Sequence, residues 1–466
     1  MENDYSITNN FNRTVKCLNI IIVGLGRVGM HLAKILSSDI HNVVAVEINE
    51  TKVKHAQESF DMTVINGYGV DYHTLERAGI KDADMLIALT SLDEINIVAC
   101  QIAARYGVKQ KIARIRNPHF YENPDSFTLK EWGIDTAIQP ELETAKEIVL
   151  LIKRSAATDV IQFADERIQV IGIRLDPGSP VLYKTMEIIT QEFREHTFRV
   201  VAIVRNNRTI IPTGSDTFMP RDQIFIIAET TAIPKIVEFM GKSNEKLEQI
   251  IILGGGKVGR ATAHLLEQEK DLKIKLIESN PEKSYRLAEE LKKTLVIQGD
   301  GRDFDLLAQE GVMDADALIS VTSDEETNIL TCLLAKHLKV TKTISLINRD
   351  EYMPIMAPIG INAAVNTNVV TSNTILRLIR RGNLVSLVTI AGVDAEIMEY
   401  KVSDNSKLIN KSLSQVHLPK NTIVGAITRD SEVLIPVGST IFQAGDLVVI
   451  FTLPQSIHDI EKIFHH

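Results

Sequence analysis

Gly24-Leu25-Gly26-Arg27-Val28-Gly29 closes the apolar run Leu18 to Val23, and after a second apolar run, Ile250 to Leu253, it returns as Gly254-Gly255-Gly256-Lys257-Val258-Gly259. Each set of spaced glycines lies between a strand-length apolar segment and a stretch of helical period, Met30 to Leu36 in the first case and Arg260 to Leu266 in the second. In that setting the glycines have separate duties. Gly24 and Gly254 permit a tight turn, Gly26 and Gly256 let the backbone approach a pyrophosphate, and Gly29 and Gly259 allow close packing of helix on strand. The helix N-terminus meets the phosphate charge. All twelve positions of the two loops are candidate ligand contacts. A second requirement is an acid at the end of the next strand, and Glu47 and Glu278 stand 23 and 24 residues after the first glycines. Such an acid accepts hydrogen bonds from ribose hydroxyls and repels a 2′-phosphate, which favours NAD(H) or an unphosphorylated adenosine over NADP(H).

The repetition extends through the chain. Asp82-Ala83-Asp84 recurs as Asp314-Ala315-Asp316, and Ile211-Pro212-Thr213-Gly214-Ser215 with Asp222 recurs as Ile435-Pro436-Val437-Gly438-Ser439 with Asp446. The unit is a large domain followed by a small one, twice. In the large domains, β-branched runs such as Asn19 to Val23, Val43 to Val46, Thr63 to Ile65 and Met85 to Leu89 alternate with helical segments. That alternation predicts an α/β fold with two Rossmann-like, doubly wound parallel sheets. The small domains show short strands separated by turn residues, with a helix between Leu182 and Glu195 in the first, and should be α+β units. Expected boundaries are a flexible tail at 1–17, nucleotide-binding domains at 18–140 and 248–367, connecting helices at 141–165 and 368–390, small domains at 166–231 and 391–466, and a linker at 232–247. Glu141 to Ala156 and Val369 to Arg381 read as helices that either pack as plain connectors or serve as dimerisation or hinge elements.

Further candidate contacts lie at the carboxyl edges of the sheets, where open α/β sheets bind ligands. Asn66-Gly67 and Gln298-Gly299-Asp300 end the third strands, where an adenine would lie. Thr90-Ser91 and Thr322-Ser323 follow the fourth strands, and their hydroxyls serve either a phosphate or ribose or the cap of the next helix. Arg114 and Arg116 on the fifth strand are placed to reach a diphosphate, whereas the second copy has Leu346 and Asn348 there, with Arg349 beside them. The two sites should therefore differ.

The 466 residues carry a formal net charge of -9, with 44% hydrophobic and 24% charged residues, which indicates several globular domains and no general polyanion-binding surface. Nucleic acid is not an expected partner. Cys17, Cys100 and Cys332 are too few and scattered for a disulfide framework, and no compact cluster of His, Cys and acids suggests a metal site. No apolar run reaches the roughly 18 to 20 residues needed to span a bilayer, and the polar start does not read as a signal peptide.

The glycine turns with Glu47 and Glu278, the Gly-Asp-Gly-x-Asp segment at Gly299 to Asp303, the Asp-Ala-Asp strand starts and the Ile-Pro-x-Gly-Ser elements together resemble the tandem RCK (KTN) family of Trk-system potassium-uptake regulatory subunits, over about Leu18 to Phe464. The resemblance implies a non-catalytic peripheral subunit on the cytoplasmic side of the membrane. It would bind NAD(H), or in some relatives ATP or ADP, assemble as a homo-oligomeric dimer or ring, and gate a membrane-embedded potassium-translocating partner. The first copy departs from the pattern at Tyr68, where the second has Asp300. The alternative from another class is an NAD-dependent oxidoreductase, for which His73 and His119 are candidate acid–base groups without a recognisable partner.

Overall fold

The computed structural model describes residues 17–37, 41–117, 120, 127–193, 197–243, 245–379, 384–430 and 432–464. Positions 1–16 of the tail, His119, Glu195 and the end of the helical stretch at Arg381 lie outside them.

In the first large domain β1 (Asn19–Val23), α1 (Arg27–Ser37), β2 (Asn42–Glu47), α2 (Glu50–Ser59), β3 (Thr63–Asn66), α3 (Tyr72–Arg77), β4 (Met85–Ala88), α4 (Asp93–Arg105), β5 (Gln110–Arg114) and β6 (Thr136–Ile138) build a sheet of order β3-β2-β1-β4-β5-β6. Every pairing in it is parallel. Ile20 to Val23 are at most 2% exposed, as expected of a central strand covered on both faces by helices. Asn49 and Asp71 start α2 and α3 by accepting backbone N–H bonds with their side chains. The connecting helix α5 (Pro140–Lys153) follows, with proline at its first turn, where a missing N–H costs nothing.

The first small domain consists of β7 (Asp159–Phe163), β8 (Ile168–Arg174), α6 (Met186–Glu192), β9 (Phe198–Arg205), β10 (Arg208–Ile210), β11 (Gln223–Glu229) and α7 (Ile233–Phe239), its antiparallel sheet ordered β10-β9-β11-β8-β7. Asn206 and Asn207, both at positive φ, close the β9–β10 hairpin. The recurring aspartate also has its explanation. Asp222 is buried, receives two bonds from the Arg205 guanidinium at 2.7 and 2.9 Å, and accepts from the Met219 N–H. Asp446 repeats this with Arg429 and Gln443.

The second large domain copies the first: β12 (Gln249–Leu253), α8 (Lys257–Leu266), β13 (Lys273–Glu278), α9 (Pro281–Glu290), β14 (Thr294–Gln298), α10 (Phe304–Gln309), β15 (Ala317–Ser320), α11 (Glu325–His337), β16 (Lys342–Leu346), α12 (Met353–Ile359) and β17 (Ala363–Val365), in sheet order β14-β13-β12-β15-β16-β17. After the connecting helix α13 (Thr367–Leu376), β18 (Leu384–Thr389), β19 (Glu396–Lys401), β20 (Thr422–Arg429), β21 (Glu432–Leu434), β22 (Leu447–Thr452) and α14 (Ile457–Phe464) form the second small domain, in order β18-β19-β22-β20-β21.

The structure divides the chain differently from the sequence reading in three places. The stretch 232–247, read as a linker, holds α7, which buries Ile233, Ile236 and Val237 in the small-domain core at helical spacing. Likewise 141–165 and 368–390, each read as one connecting helix, end in β7 and β18, edge strands of the two small sheets.

The connecting helices cross between the halves. α5 packs against α8 of the second large domain, and α13 packs against α1 of the first. Ile148, Leu151 and Ile152 of α5 therefore share a core with Ile252 and Ile319 of the second sheet. Ile375 and Leu376 of α13 share one with Leu32 and Ile87 of the first. At roughly 1.5–3 kcal/mol for each large apolar side chain fully buried, these exchanged stripes contribute substantially to cohesion. The small sheets meet face to face, Phe163, Val201 and Phe225 against Ile397, Ala426 and Phe451.

Candidate functional site

The two glycine turns are fixed by hydrogen bonds from the protein itself. Glu47 is buried, and its carboxylate accepts the Leu25 N–H at 2.6 Å and the Asn49 N–H at 2.9 Å; Glu278 accepts from Gly255 at 2.9 Å and Asn280 at 2.7 Å. Gly24 and Gly254 sit at φ of 95° and 104°, a region side chains disfavour. A Cβ at Gly29 or Gly259 would collide with the carbonyl oxygen of Gly24 or Gly254, whereas a Cβ at Gly26 or Gly256 meets nothing within 4 Å. Those two glycines thus face open space at a helix start, the geometry a diphosphate requires. Leu25 is buried in the core beneath the turn and Val28 in the start of α1.

Thr90 and Thr322 are held by an asparagine the sequence reading did not single out. Asn96, fully buried, accepts from the Thr90 N–H and hydroxyl at 2.9 and 2.7 Å, and its amide donates to the Arg114 carbonyl at 2.8 Å. Asn328 does the same for Thr322 and the Leu346 carbonyl. These amides clamp the fourth strand to the fifth at the sheet edge. The signal was available: an asparagine six residues after the threonine, recurring in both copies. The threonine hydroxyls also accept from the Leu92 and Asp324 N–H groups, so they shape the entry to α4 and α11. Ser91 and Ser323 line the clefts beside them.

The first cleft encloses about 820 Å³ and the second about 510 Å³. Gly24, Gly26, Arg27, Glu47, Gly67, Thr90, Ser91 and Arg114 come together at the first; Gly254, Gly256, Glu278, Gly299, Asp300, Thr322 and Ser323 at the second. Arg114 pairs with Glu141 at 3.3 Å, and its buried Nε has no hydrogen-bond acceptor among the described residues. Arg116 is turned away, donating to the Ser91 carbonyl and lying 3.7 Å from Asp93. Asn66 also supports from behind, its amide donating to the carbonyls of Glu47 and Ile48. His73 is exposed on α3 against Tyr72, outside the cleft lining.

Rim chemistry separates the two. Around the first cleft stand Ile48, Tyr68, Leu92 and Ile95; at the equivalent places around the second stand Ser279, Asp300, Asp324 and Thr327. Ile48, Tyr68 and Leu92 are 64%, 45% and 52% exposed, apolar surface that a planar base could cover. At the second rim, Asp300 receives the Arg302 guanidinium in a forked pair, which draws its carboxyl down to about 2.

The clefts also differ in who builds them. The first is completed across the seam by Val258, Leu346, Asn348, Thr367 and Asn368 of the second half, and Arg27 lies 3.8 Å from Glu325 there. The second cleft is lined by residues 253–327 alone. Leu346 and Asn348, expected at the second site as counterparts of the arginines, line the first instead, because the crossed helices turn the end of β16 toward it.

The TrkA-N domain model matches residues 20–140 and 250–367, and the TrkA-C domain model matches 170–241 and 397–465. A Trk system potassium uptake protein TrkA homolog of Methanosarcina mazei is 34% identical over 454 residues, covering 96% of this chain and 100% of its own length. The Trk system potassium uptake protein TrkA of Vibrio alginolyticus is 31% identical, covering 96% and 98%. Among solved structures, the GsuK RCK domain superposes with a TM-score of 0.58 at 19% identity, covering 96% and 95% of the two chains. The GsuK channel bound to NAD gives 0.58 at 18% identity, covering 96% and 79%. With both halves matched by the two domain models and full-length relatives above 30% identity, the chain belongs to the TrkA family.

Proposed function

We propose that the chain is the nucleotide-sensing regulatory subunit of a Trk-type potassium uptake system. It acts at the cytoplasmic face of the membrane as a homo-oligomeric dimer or ring, binds NAD(H) or an adenine nucleotide, and biases a membrane-embedded potassium-translocating subunit. The names of its relatives support the system, and a channel of the same fold solved with NAD supports the ligand class. No helix among the described residues is long and apolar enough to cross a membrane, which fits a separate translocating partner.

One observation carries the reading: the larger cleft is lined by both halves of the chain, with the glycine turn and Glu47 on one side and Asn348 and Asn368 on the other. Gly26 leaves room for a diphosphate, Glu47 is held where a ribose would meet it, and Arg114 brings a cation to the same lining for an anionic oxygen. A ligand there changes the free energy of one arrangement of the halves relative to another, by its differential affinity for the two. Titrating NADH, NAD, ATP and ADP against the purified protein while recording its dimensions by small-angle scattering tests this. A dependence of dimensions on ligand is expected; saturable binding of every nucleotide with unchanged dimensions would sink the gating role. NADH should also be recovered unoxidised.

A further inference from the structure

We infer that the first cleft distinguishes a dinucleotide from a mononucleotide, and that residues of the second half make the distinction: Asn348 and Leu346 receive the nucleoside beyond the diphosphate. The inference rests on the nucleotide-binding reading above and deepens it.

The first cleft has two ends of different parentage. One end, with Glu47, Ile48, Gly67 and Tyr68, is made by the strand ends of the first half and suits an adenosine. The glycine turn and Arg114 lie in the same cleft. Beyond Arg114 and its partner Glu141, the second half adds Leu346, Asn348, Thr367 and Asn368 to the lining. A nucleoside diphosphate has nothing to place there. A dinucleotide has a second ribose and a second ring.

The chemistry of that end suits a carboxamide-bearing ring. Asn348 uses its side-chain oxygen on the Thr367 N–H at 3.2 Å, and its NH2 group has no acceptor among the described residues. Asn368 donates its NH2 to the Asn348 carbonyl at 3.2 Å, and its own side-chain oxygen has no donor among them. One donor and one acceptor thus belong to a lining that also holds the apolar Leu346 and Val258. Neither amide is charged, as befits a ring that carries a positive charge in one redox form and none in the other. The counterparts in the first half are Arg116 and Glu141, each already held by a carboxylate or guanidinium partner, and the second cleft ends at Thr327 without such an annex.

Asn348→Asp provides the test, since it keeps the oxygen that accepts from Thr367 and replaces the NH2 donor with a charged acceptor, and Asn348→Ala removes the donor without adding charge. In full-length protein carrying Gly256→Leu to obstruct the second cleft, isothermal titration should give NADH an affinity about tenfold weaker than without the Asp change, and ADP an affinity within twofold. Asn348→Ala should shift NADH in the same direction by a smaller factor. ADP binding reports in the same samples that the cleft is folded. Equal losses for NADH and ADP, or none for either in both variants, overturn the inference. If the Gly256→Leu protein with an intact Asn348 binds neither ligand, the nucleotide-binding reading fails instead.

Discussion

The two glycine-turn clefts share a backbone and little else. Each has the turn, the buried glutamate and the clamping asparagine at equivalent positions, so the scaffold was copied faithfully. The rims were not. Where the first presents Ile48, Tyr68 and Leu92, the second presents Ser279, Asp300 and Asp324, with an arginine engaged by the aspartate. The difference teaches that the fold fixes where a nucleotide can lie and the four or five residues on the rim fix which one gains by lying there. An apolar slot rewards a stacking base, whereas carboxylates beside Glu278 oppose a polyphosphate through like charge.

The comparison can be broken most severely at Gly26. Gly26→Leu should abolish NADH binding at the first cleft, a loss above about a hundredfold, because the side chain enters the space a diphosphate needs while the protein stays folded. Unaltered stoichiometry in a titration would show that the first cleft is not the site. A smaller effect is expected at the rim. Tyr68→Asp, which gives the first cleft the residue of the second, should weaken adenine nucleotides by roughly 5- to 100-fold, the range for losing one base–aromatic stack. Asp300→Tyr should move the second cleft the other way and free Arg302; competition titrations would measure both. The least effect concerns the seam, where Gln110 and Lys342 are counterparts. Gln110 donates to the Leu378 carbonyl after α13, and Lys342 donates to the carbonyls of Ser155 and Ala157 after α5. Burial lowers the Lys342 ammonium to about 7, against the pull of Asp159. The folded chain therefore holds fewer protons at this site than the unfolded one between about pH 7 and 10, and stability rises with pH across that window. Lys342→Gln should remove that rise; a melting-temperature difference between pH 7 and 9.5 that is unchanged in the variant would discard the assignment.

Much of this was legible in the residues. β-Branched runs buried on both faces announce parallel strands, and Gly24 and Gly29 each carry a separable steric demand that the structure displays, while Gly26 faces open space. What was not legible has a common physical cause. The apolar stripe of Glu141 to Ala156 says that a face is buried and not which half buries it, so the crossing of α5 and α13 was invisible. That crossing is also what moves Leu346 and Asn348 from the cleft they were read into to the one opposite. Helix α7 escaped notice because seven residues carry too little periodicity to separate from a linker.

The exchanged helices have a consequence for how such a chain changes over time. Two identical copies on separate polypeptides would have to meet by diffusion, and any mutation would strike both partners alike. Here the partner is tethered, at an effective concentration on the order of millimolar, and dilution does not unpair it. The halves are thus two subunits inherited as one, and each is free to diverge while the other retains the ancestral duty. The second copy can surrender a ligand pocket and still be kept, since Val258, Leu346 and Asn368 remain employed as the far wall of its neighbour's.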